Sequence, residues 1–216
     1  MGSTWWKISF YFLVFVFALF MSFNDYSPIL TVGLLFVATI LAFSLFFYYP
    51  LLLEKRISRL ESFLRKQKKT PAIYVHYVLA NRLEDEAGEI MEQLMSKYKQ
   101  SGTRAIFQAA FGVYQKDMDM VREALPDIQK SDYRAYYETT IHIENGEMDR
   151  AHETLNSIKK HWMRLALLVD IEMKSGNQEA AIQYAREVVT ATRGVNRYTL
   201  YKEYERELPQ AVEGIG

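Results

Sequence analysis

The sequence predicts an all-α protein in which a transmembrane helical hairpin precedes an array of helix pairs. Two apolar runs, residues 5–23 and 29–53, are each long enough to cross a bilayer; the first contains one charged residue, Lys7, and the second none. Residues 71–216 show no sustained alternation of apolar and polar side chains and no Asn-Gly hairpin turn, so strands are not expected there. A short turn sequence also recurs at a spacing of 30 residues, which is typical of stacked helix pairs.

The two apolar runs are predicted to form an antiparallel hairpin. At 1.5 Å per residue they reach about 28 Å and about 37 Å, against a hydrocarbon core of about 30 Å. The link at residues 24–28 is too short for any other arrangement, and backbone groups in lipid must be satisfied within each helix. A cleaved signal peptide is the alternative for the first run, but no small-residue cleavage site follows it.

A basic collar follows the second run and sets the expected orientation. Residues 54–70 carry a net charge of +5, whereas residues 71–216 carry −5. Because basic residues concentrate on the cytoplasmic side, both termini are predicted to be cytoplasmic at the cell membrane, with a bacterial inner membrane as our hypothesis. We expect the collar to bind anionic lipid headgroups, while the acidic remainder disfavours nucleic acid. The collar consists of Lys55, Arg56, Arg59, Arg65, Lys66, Lys68 and Lys69.

The collar is also predicted to be helical. Leu53, Ile57, Leu60 and Leu64 recur at spacings of four, three and four, which places them on one helical face. Residues 54–70 are therefore interpreted as an amphipathic juxtamembrane neck. Such a helix would either continue the second span or lie on the membrane surface.

The repeat is clearest in residues 145–151 and 175–181. Each stretch has a glycine (Gly146, Gly176), an acidic residue three positions later, and an alanine two positions after that (Ala151, Ala181). Residues 115–121 fit the same register without the glycine, and a fainter copy centres on Ala87. The helices that follow keep apolar residues at spacings of four and three, so one face of each is apolar.

These residues resemble the tetratricopeptide repeat, a family of helix pairs that stack into an α-solenoid. The period is shorter than the 34 residues of the family, the aromatic signature of its first helix is missing, and Pro126 cuts one second helix short. The resemblance implies three or four stacked pairs in residues 71–216. Residues 198–208 are interpreted as a capping helix with one apolar face. That face presents Tyr201, Tyr204 and Leu208, and the remainder is covered by Lys202, Glu203, Glu205 and Arg206.

The resemblance also implies a concave groove, lined by the first helix of each pair, in which a partner peptide docks. Tyr133, Tyr136 and Tyr137 lie on one such helix, and His76 and Asp170 could face the same groove from neighbouring pairs. Tyrosine suits an interface because it combines an apolar body with a polar tip. Packing of these tyrosines in the core between helix pairs is the alternative interpretation.

No catalytic motif is found in the sequence, so an enzyme is not expected. There is no phosphate-binding glycine loop, no nucleophile elbow and no metal-binding His-Glu-x-x-His helix. The chain has no cysteine, which excludes disulfides and thiolate chemistry. His142 and His152 could approach each other, but a metal would need two further ligands and only Glu138 is near. We therefore expect no metal and no cofactor.

The sequence thus predicts a membrane-anchored cytoplasmic adaptor or scaffold that binds a protein or peptide partner through its groove. The alternative is a regulatory subunit that binds a larger membrane protein, such as a transporter or an envelope enzyme, through its transmembrane hairpin. The many aromatic side chains of the first apolar run motivate that alternative, although contact with lipid explains them equally well.

Overall fold

The computed structural model describes residues 14–17, 20–21, 23, 27–99 and 101–216. These residues form helices joined by short turns, and no strand occurs among them. The all-α class predicted from the sequence is therefore confirmed. The chain divides into two compact units, Met1–Tyr49 and Pro50–Gly216.

The first long helix, α1 (Pro28–Leu52), coincides with the second apolar run. Its 25 residues contain no charged side chain, and Pro28 occupies the first turn, where its missing N–H costs nothing. By length and composition α1 is the one helix among the described residues that could cross a membrane, and a signal sequence near an N-terminus meets the same criteria. The first predicted span, residues 5–23, lies mostly outside the described residues, so the hairpin stays a prediction.

The remainder of the described chain consists of shorter helices that pack in consecutive pairs. From α3 onward, α3 packs on α4, α5 on α6, α7 on α8 and α9 on α10. A 3-10 turn, Leu125–Asp127, follows α6, because Pro126 ends that helix early as the sequence predicts. The helices are α2 (Ile57–Arg65), α3 (Pro71–Ala80), α4 (Glu84–Lys97), α5 (Ser101–Gln115), α6 (Met118–Ala124), α7 (Ser131–Glu144), α8 (Met148–Ser157), α9 (His161–Lys174), α10 (Gln178–Ala191), α11 (Gly194–Glu207) and α12 (Pro209–Val212).

In each of the four pairs, a turn of the same geometry joins the first helix to the second. At Gly146 the backbone N–H donates to the carbonyl three residues back (3.1 Å), and the next N–H donates to the carbonyl five residues back (2.8 Å). The same two hydrogen bonds recur at the other three turns. One residue of each turn has a left-handed backbone, namely Arg82 (φ 54°), Lys116 (φ 59°), Gly146 (φ 77°) and Gly176 (φ 79°). The turn without glycine at Lys116 thus adopts the geometry of the repeat.

A buried apolar residue stands five positions after each of these turn residues. Ala87, Val121, Ala151 and Ala181 are all buried, and each lies in the apolar core of its own pair. The fainter copy that the sequence places at Ala87 therefore has the same structure as the others. The described chain contains four helix pairs, followed by α11 and the short α12.

The array of pairs closes on itself through α11. Besides its neighbour α10, α11 packs on α3 of the first pair and on α2. The side-chain amide of Asn81 donates to the Tyr198 hydroxyl (2.7 Å), and the Arg206 guanidinium donates to the Ala80 carbonyl. An open solenoid keeps its terminal repeats apart, so this closure differs from the architecture that the resemblance implies.

The closure also corrects the interpretation of residues 198–208 as a capping helix. Tyr204 and Leu208 are buried as expected, but Arg197 and Tyr198 are buried as well, and the helix begins earlier, at Gly194. The prediction of a single apolar face is therefore wrong, because α11 is covered both by the last pair and by the first.

The neck helix α2 exists as predicted, but its apolar face has a different partner. Ile57, Leu60 and Leu64 are buried in a cluster with Ala80 of α3 and Tyr198 of α11. Residues 54–56 are not helical, so α2 does not continue α1. The expectation that the neck continues the span or lies on the membrane is therefore wrong, because α3 and α11 cover the face that would meet lipid.

The chain leaving α1 is tied to α11 at residues 50–56. The Gly194 N–H donates to the Glu54 carbonyl (2.8 Å), and the Arg197 guanidinium donates to the Lys55 carbonyl (2.8 Å). The carboxylate of Glu54 accepts from the backbone N–H groups of Lys55 (2.9 Å) and Arg56 (3.0 Å), which holds this segment in a tight turn. We call residues 50–56 the junction segment.

Candidate functional site

Tyr137, one of the predicted groove residues of α7, packs in the core between helix pairs. It is buried among side chains of α5, α6 and α7, and its hydroxyl donates to the Ile106 carbonyl (3.4 Å). Burial raises the pKa of this hydroxyl. The surroundings of Tyr137 are those of the alternative interpretation, in which the tyrosines pack in the core.

Tyr133 lies one helical turn earlier and contacts basic side chains. The ammonium of Lys160 stands 4.5 Å from its ring centroid, and that of Lys130 stands 5.7 Å away. Both distances are within the range of a cation–π interaction. Within the described chain, no hydrogen bond or charge interaction links Tyr133 to His76 or Asp170.

Tyr136 lies near enough to Asp170 for the charge of that carboxylate to affect its hydroxyl. Tyr136 packs against the core formed by α9, α10 and α11, and its ring meets that of Tyr137 edge-on. Burial raises the pKa of the Tyr136 hydroxyl, and the carboxylate of Asp170 raises it further. Burial likewise raises the pKa of Asp170, with a further contribution from Glu203.

Glu203 and Tyr204 of α11 complete this group. Burial raises the pKa of Glu203 to about 7, and the nearby Glu207 carboxylate adds to that rise. Tyr204 is only 2% exposed, and after burial the charges of Glu203 and Asp170 contribute most to the raised pKa of its hydroxyl. The sequence places Glu203 with Glu205 and Arg206 on the solvated side of a capping helix; those two are exposed, whereas Glu203 is half-buried. We call Tyr136, Asp170, Glu203 and Tyr204 the inner face.

The polar groups of the inner face have no partner within the described residues. The carboxylates of Asp170 and Glu203 form neither a hydrogen bond nor an ion pair there, and the hydroxyls of Tyr136 and Tyr204 form no hydrogen bond. Among the described residues the one fully enclosed side-chain polar atom without a hydrogen-bond partner is the Tyr114 hydroxyl, so the oxygens of the inner face are reached by solvent. The inner face can accept hydrogen bonds and positive charge from a bound group.

His76 is placed apart from this group. It lies on α3, and burial lowers the pKa of its imidazole to about 4, so it is neutral at pH 7. Within the described chain no charged neighbour contributes to that shift, and no hydrogen bond or charge interaction joins His76 to Asp170. Of the five predicted groove residues, the three tyrosines pack against a common core, Asp170 affects the pKa of Tyr136, and His76 interacts with none of the others among the described residues.

The seven basic side chains of the collar are all exposed. Arg59 approaches the Glu54 carboxylate (3.5 Å), and Lys68 approaches that of Glu86 (3.5 Å). The other five form no ion pair with the described residues. The collar follows directly after α1, and its ammonium and guanidinium groups are accessible to solvent.

The histidine pair considered from the sequence does not assemble. His142 Nδ1 lies 2.6 Å from a carboxylate oxygen of Glu147, the residue that follows the Gly146 turn, while His152 is exposed. Among the described residues, no group of three or more histidine, aspartate or glutamate side chains is placed to hold a metal ion.

Glu203→Gln should stabilise the protein at pH 8 by about 1–3 kcal/mol and leave it unchanged near pH 4.5. The folded-state pKa of about 7 lies above the unfolded value of 4.5. The folded protein therefore binds an extra proton between these values, and stability falls as pH rises through that window. Urea unfolding of the full chain in detergent at both pH values measures the difference.

The stability of each variant must be compared with that of the parent at the same pH. The lowered pKa of His76 makes the stability of both proteins rise with pH below pH 6.5, opposite to the effect of Glu203. The exposed Glu153 provides the control, and Glu153→Gln should change stability by less than about 0.5 kcal/mol at either pH. Equal effects of the two substitutions at pH 8 would show that Glu203 is hydrated as an ordinary surface carboxylate.

The resemblance to tetratricopeptide repeats depends on the turn residues and buried alanines described above. No family model matches the chain, and neither the curated proteins nor the solved structures include a significantly similar one.

Proposed function

We propose that this protein is a membrane-anchored adaptor whose helical unit binds a protein or peptide partner through the inner face. The observation that carries the proposal is the group of four buried or half-buried polar side chains without partners, contributed by α7, α9 and α11. Tyr136 and Asp170 come from the first helices of their pairs, α7 and α9. In the family that the sequence resembles, the first helices line the binding groove. No chemical reaction is required of this group.

The anchor is α1, with or without the first predicted span. The exposed collar follows α1 directly, which by the positive-inside rule supports a cytoplasmic helical unit in either case. Tethering would raise the local concentration of a bound partner at the membrane without any additional contact. Two spans with both termini in the cytoplasm remain the arrangement that we propose.

Site-specific photo-crosslinking in native membranes tests the proposal. Glu207 is exposed and near enough to Asp170 and Glu203 for its charge to affect both, so a crosslinker there samples the rim of the inner face. Glu153, which is exposed on the second helix of another pair, is the matched control position. We expect a discrete adduct from position 207 and none from position 153.

A third crosslinker position separates the adaptor from the regulatory subunit. Phe36 is exposed in the middle of α1, where a membrane partner of the hairpin would contact it. An adduct from Phe36 with none from Glu207 would overturn the adaptor proposal and favour binding through the membrane segment. Identical adduct patterns from positions 207 and 153 would also contradict it.

A further inference from the structure

The inner face carries negative charge that the protein itself does not neutralise. Asp170 and Glu203 come from different helices, α9 and α11, and the charge of Glu203 raises the pKa of Asp170. Glu207 and Glu144 add to the same negative potential from the rim. No side chain of the described residues forms an ion pair with either carboxylate, and their mutual repulsion and desolvation both oppose ionisation.

The cations nearest to this group are engaged elsewhere. Lys174 is paired with the Glu144 carboxylate (2.8 Å), and Arg206 donates to the Ala80 carbonyl. Arg82 donates to the Tyr114 carbonyl (2.8 Å) and lies over the Tyr114 ring (4.8 Å). Each acts on the inner face only through its charge, and none forms an ion pair with Asp170 or Glu203.

Tyr204 gives independent support for a bound group. Its side chain is almost fully buried, and its hydroxyl is near Glu203, Asp170 and Tyr136, whose charges or dipoles affect its pKa. This hydroxyl makes no hydrogen bond to any described residue. It is not one of the fully enclosed unpaired atoms, so a bound group can reach it although the rest of the side chain is buried. With Tyr136 it offers oxygen acceptors and aromatic rings, which both attract ammonium and guanidinium groups.

We propose that the partner segment docking on the inner face presents a lysine or arginine side chain, whose cationic group is bound by Asp170 and Glu203. This inference rests on the proposed function, because it specifies the chemistry of the partner. A cation supplies the missing hydrogen-bond donors, neutralises the paired carboxylates and packs against the two tyrosines. An acidic or purely apolar segment would leave both carboxylates unpaired and is disfavoured.

The proposed contact makes binding depend on pH. The bound cation favours the ionised carboxylates, so binding should release protons and strengthen as pH rises from 6 to 8. At pH 6 Glu203, with a pKa of about 7, is mostly protonated, and its neutral form attracts a cation weakly. The other titratable or charged groups that affect the inner face are Glu144 on α7, Lys174 on α9, Arg206 and Glu207 on α11, and Arg82 between α3 and α4.

Selection from a phage-displayed library of random 12-residue peptides tests the inference. The target is the full chain in nanodiscs of phosphatidylcholine at pH 8, so that basic peptides find no anionic lipid. We expect selected peptides to contain lysine or arginine and to block crosslinking from position 207. Their affinity should fall about 100-fold in the Asp170→Asn, Glu203→Gln double variant. It should also be about tenfold weaker at pH 6 than at pH 8 in the unsubstituted protein.

The matched control is the Asp149→Asn, Glu153→Gln double variant, which removes two exposed carboxylates of α8 and should leave affinity unchanged. Thermal unfolding of each variant confirms that it is folded. Basic peptides that bind both double variants equally would overturn the inference. Peptides that block the position-207 crosslink without any basic residue would overturn it while leaving the adaptor proposal intact. If no selected peptide blocks that crosslink, the adaptor proposal and the inference both fail.

Discussion

Replacing Gly194 by alanine should lower the free energy of unfolding by about 2–4 kcal/mol. A Cβ at this position would stand 1.9 Å from the Leu51 carbonyl oxygen and 2.5 Å from its carbon, and neither backbone atom can rotate away. Relieving such an overlap costs about 1–3 kcal/mol, and the left-handed backbone (φ 58°) adds about 1 kcal/mol for any residue with a side chain. Pulse proteolysis of the full chain in urea and detergent measures the loss.

Gly146→Ala is the matched control for this substitution. Gly146 also has a left-handed backbone (φ 77°), but a Cβ there would meet no atom within 4 Å. Its replacement should therefore cost only the backbone strain, about 1 kcal/mol. If Gly194→Ala and Gly146→Ala cost the same, the junction segment does not pack against Gly194 as the structure describes.

The same variant should loosen the junction segment selectively. Displacing Leu51 breaks the hydrogen bond from the Gly194 N–H to the Glu54 carbonyl. The junction segment is then no longer held against α11, and the start of α2, which follows it, should open more often. Hydrogen exchange of this region should accelerate in Gly194→Ala, while that of α7 and α8 should not. This pattern would show that α11 holds the chain where it leaves the apolar helix.

The helix pairs could be predicted because their signals are local. A glycine with a left-handed backbone, followed five residues later by a buried alanine, fixes a turn and the packing of one pair over a short stretch of sequence. The period then extends the prediction to Lys116, where a lysine adopts the backbone that glycine has elsewhere. Such patterns need no information about distant parts of the chain.

The closure of the array could not be predicted in this way. The hydrogen bond from Asn81 to Tyr198 joins residues 117 positions apart, and neither residue belongs to a repeating pattern. The closure also brings α3 and α11 against the apolar face of α2. From the sequence alone, that face fits an amphipathic membrane helix equally well. Periodicity identifies an apolar face but not the surface that covers it.

The inner face was predicted only in part for a related reason. Tyr136 and Asp170 follow from the positions of first helices in the repeat, whereas Glu203 stands among charged neighbours on what resembles a solvated helix. The raised pKa of Glu203 comes from burial and from Glu207, and burial is set by the closed array. The tyrosines of α7 differ because that helix packs on both sides: Tyr137 is buried in the core with α5 and α6, whereas Tyr136 contacts that core and also the core formed by α9, α10 and α11.

Replacing Arg197 by methionine should cost about 3 kcal/mol and should release two segments together. The guanidinium, which is 7% exposed, donates to the carbonyls of Lys55 (2.8 Å), Val189 and Ile215 (3.3 Å). The Val189 carbonyl lies in the last turn of α10, where the helix dipole favours a cation. Hydrogen bonds from a charged donor contribute about 1.5–3 kcal/mol each, and the cost of burying the charge offsets part of that sum.

Hydrogen exchange distinguishes this role from a general loss of packing. Because Arg197 joins the junction segment to the C-terminal residues, exchange should accelerate in residues 54–60 and 210–216 and stay unchanged in α5–α8. Arg197→Lys should recover only part of the stability, since one ammonium cannot reach three divergent carbonyls. Arg193→Met, at an exposed position, should cost less than about 0.5 kcal/mol. Acceleration confined to residues 210–216 would show instead that Gly194 alone holds the junction segment against α11.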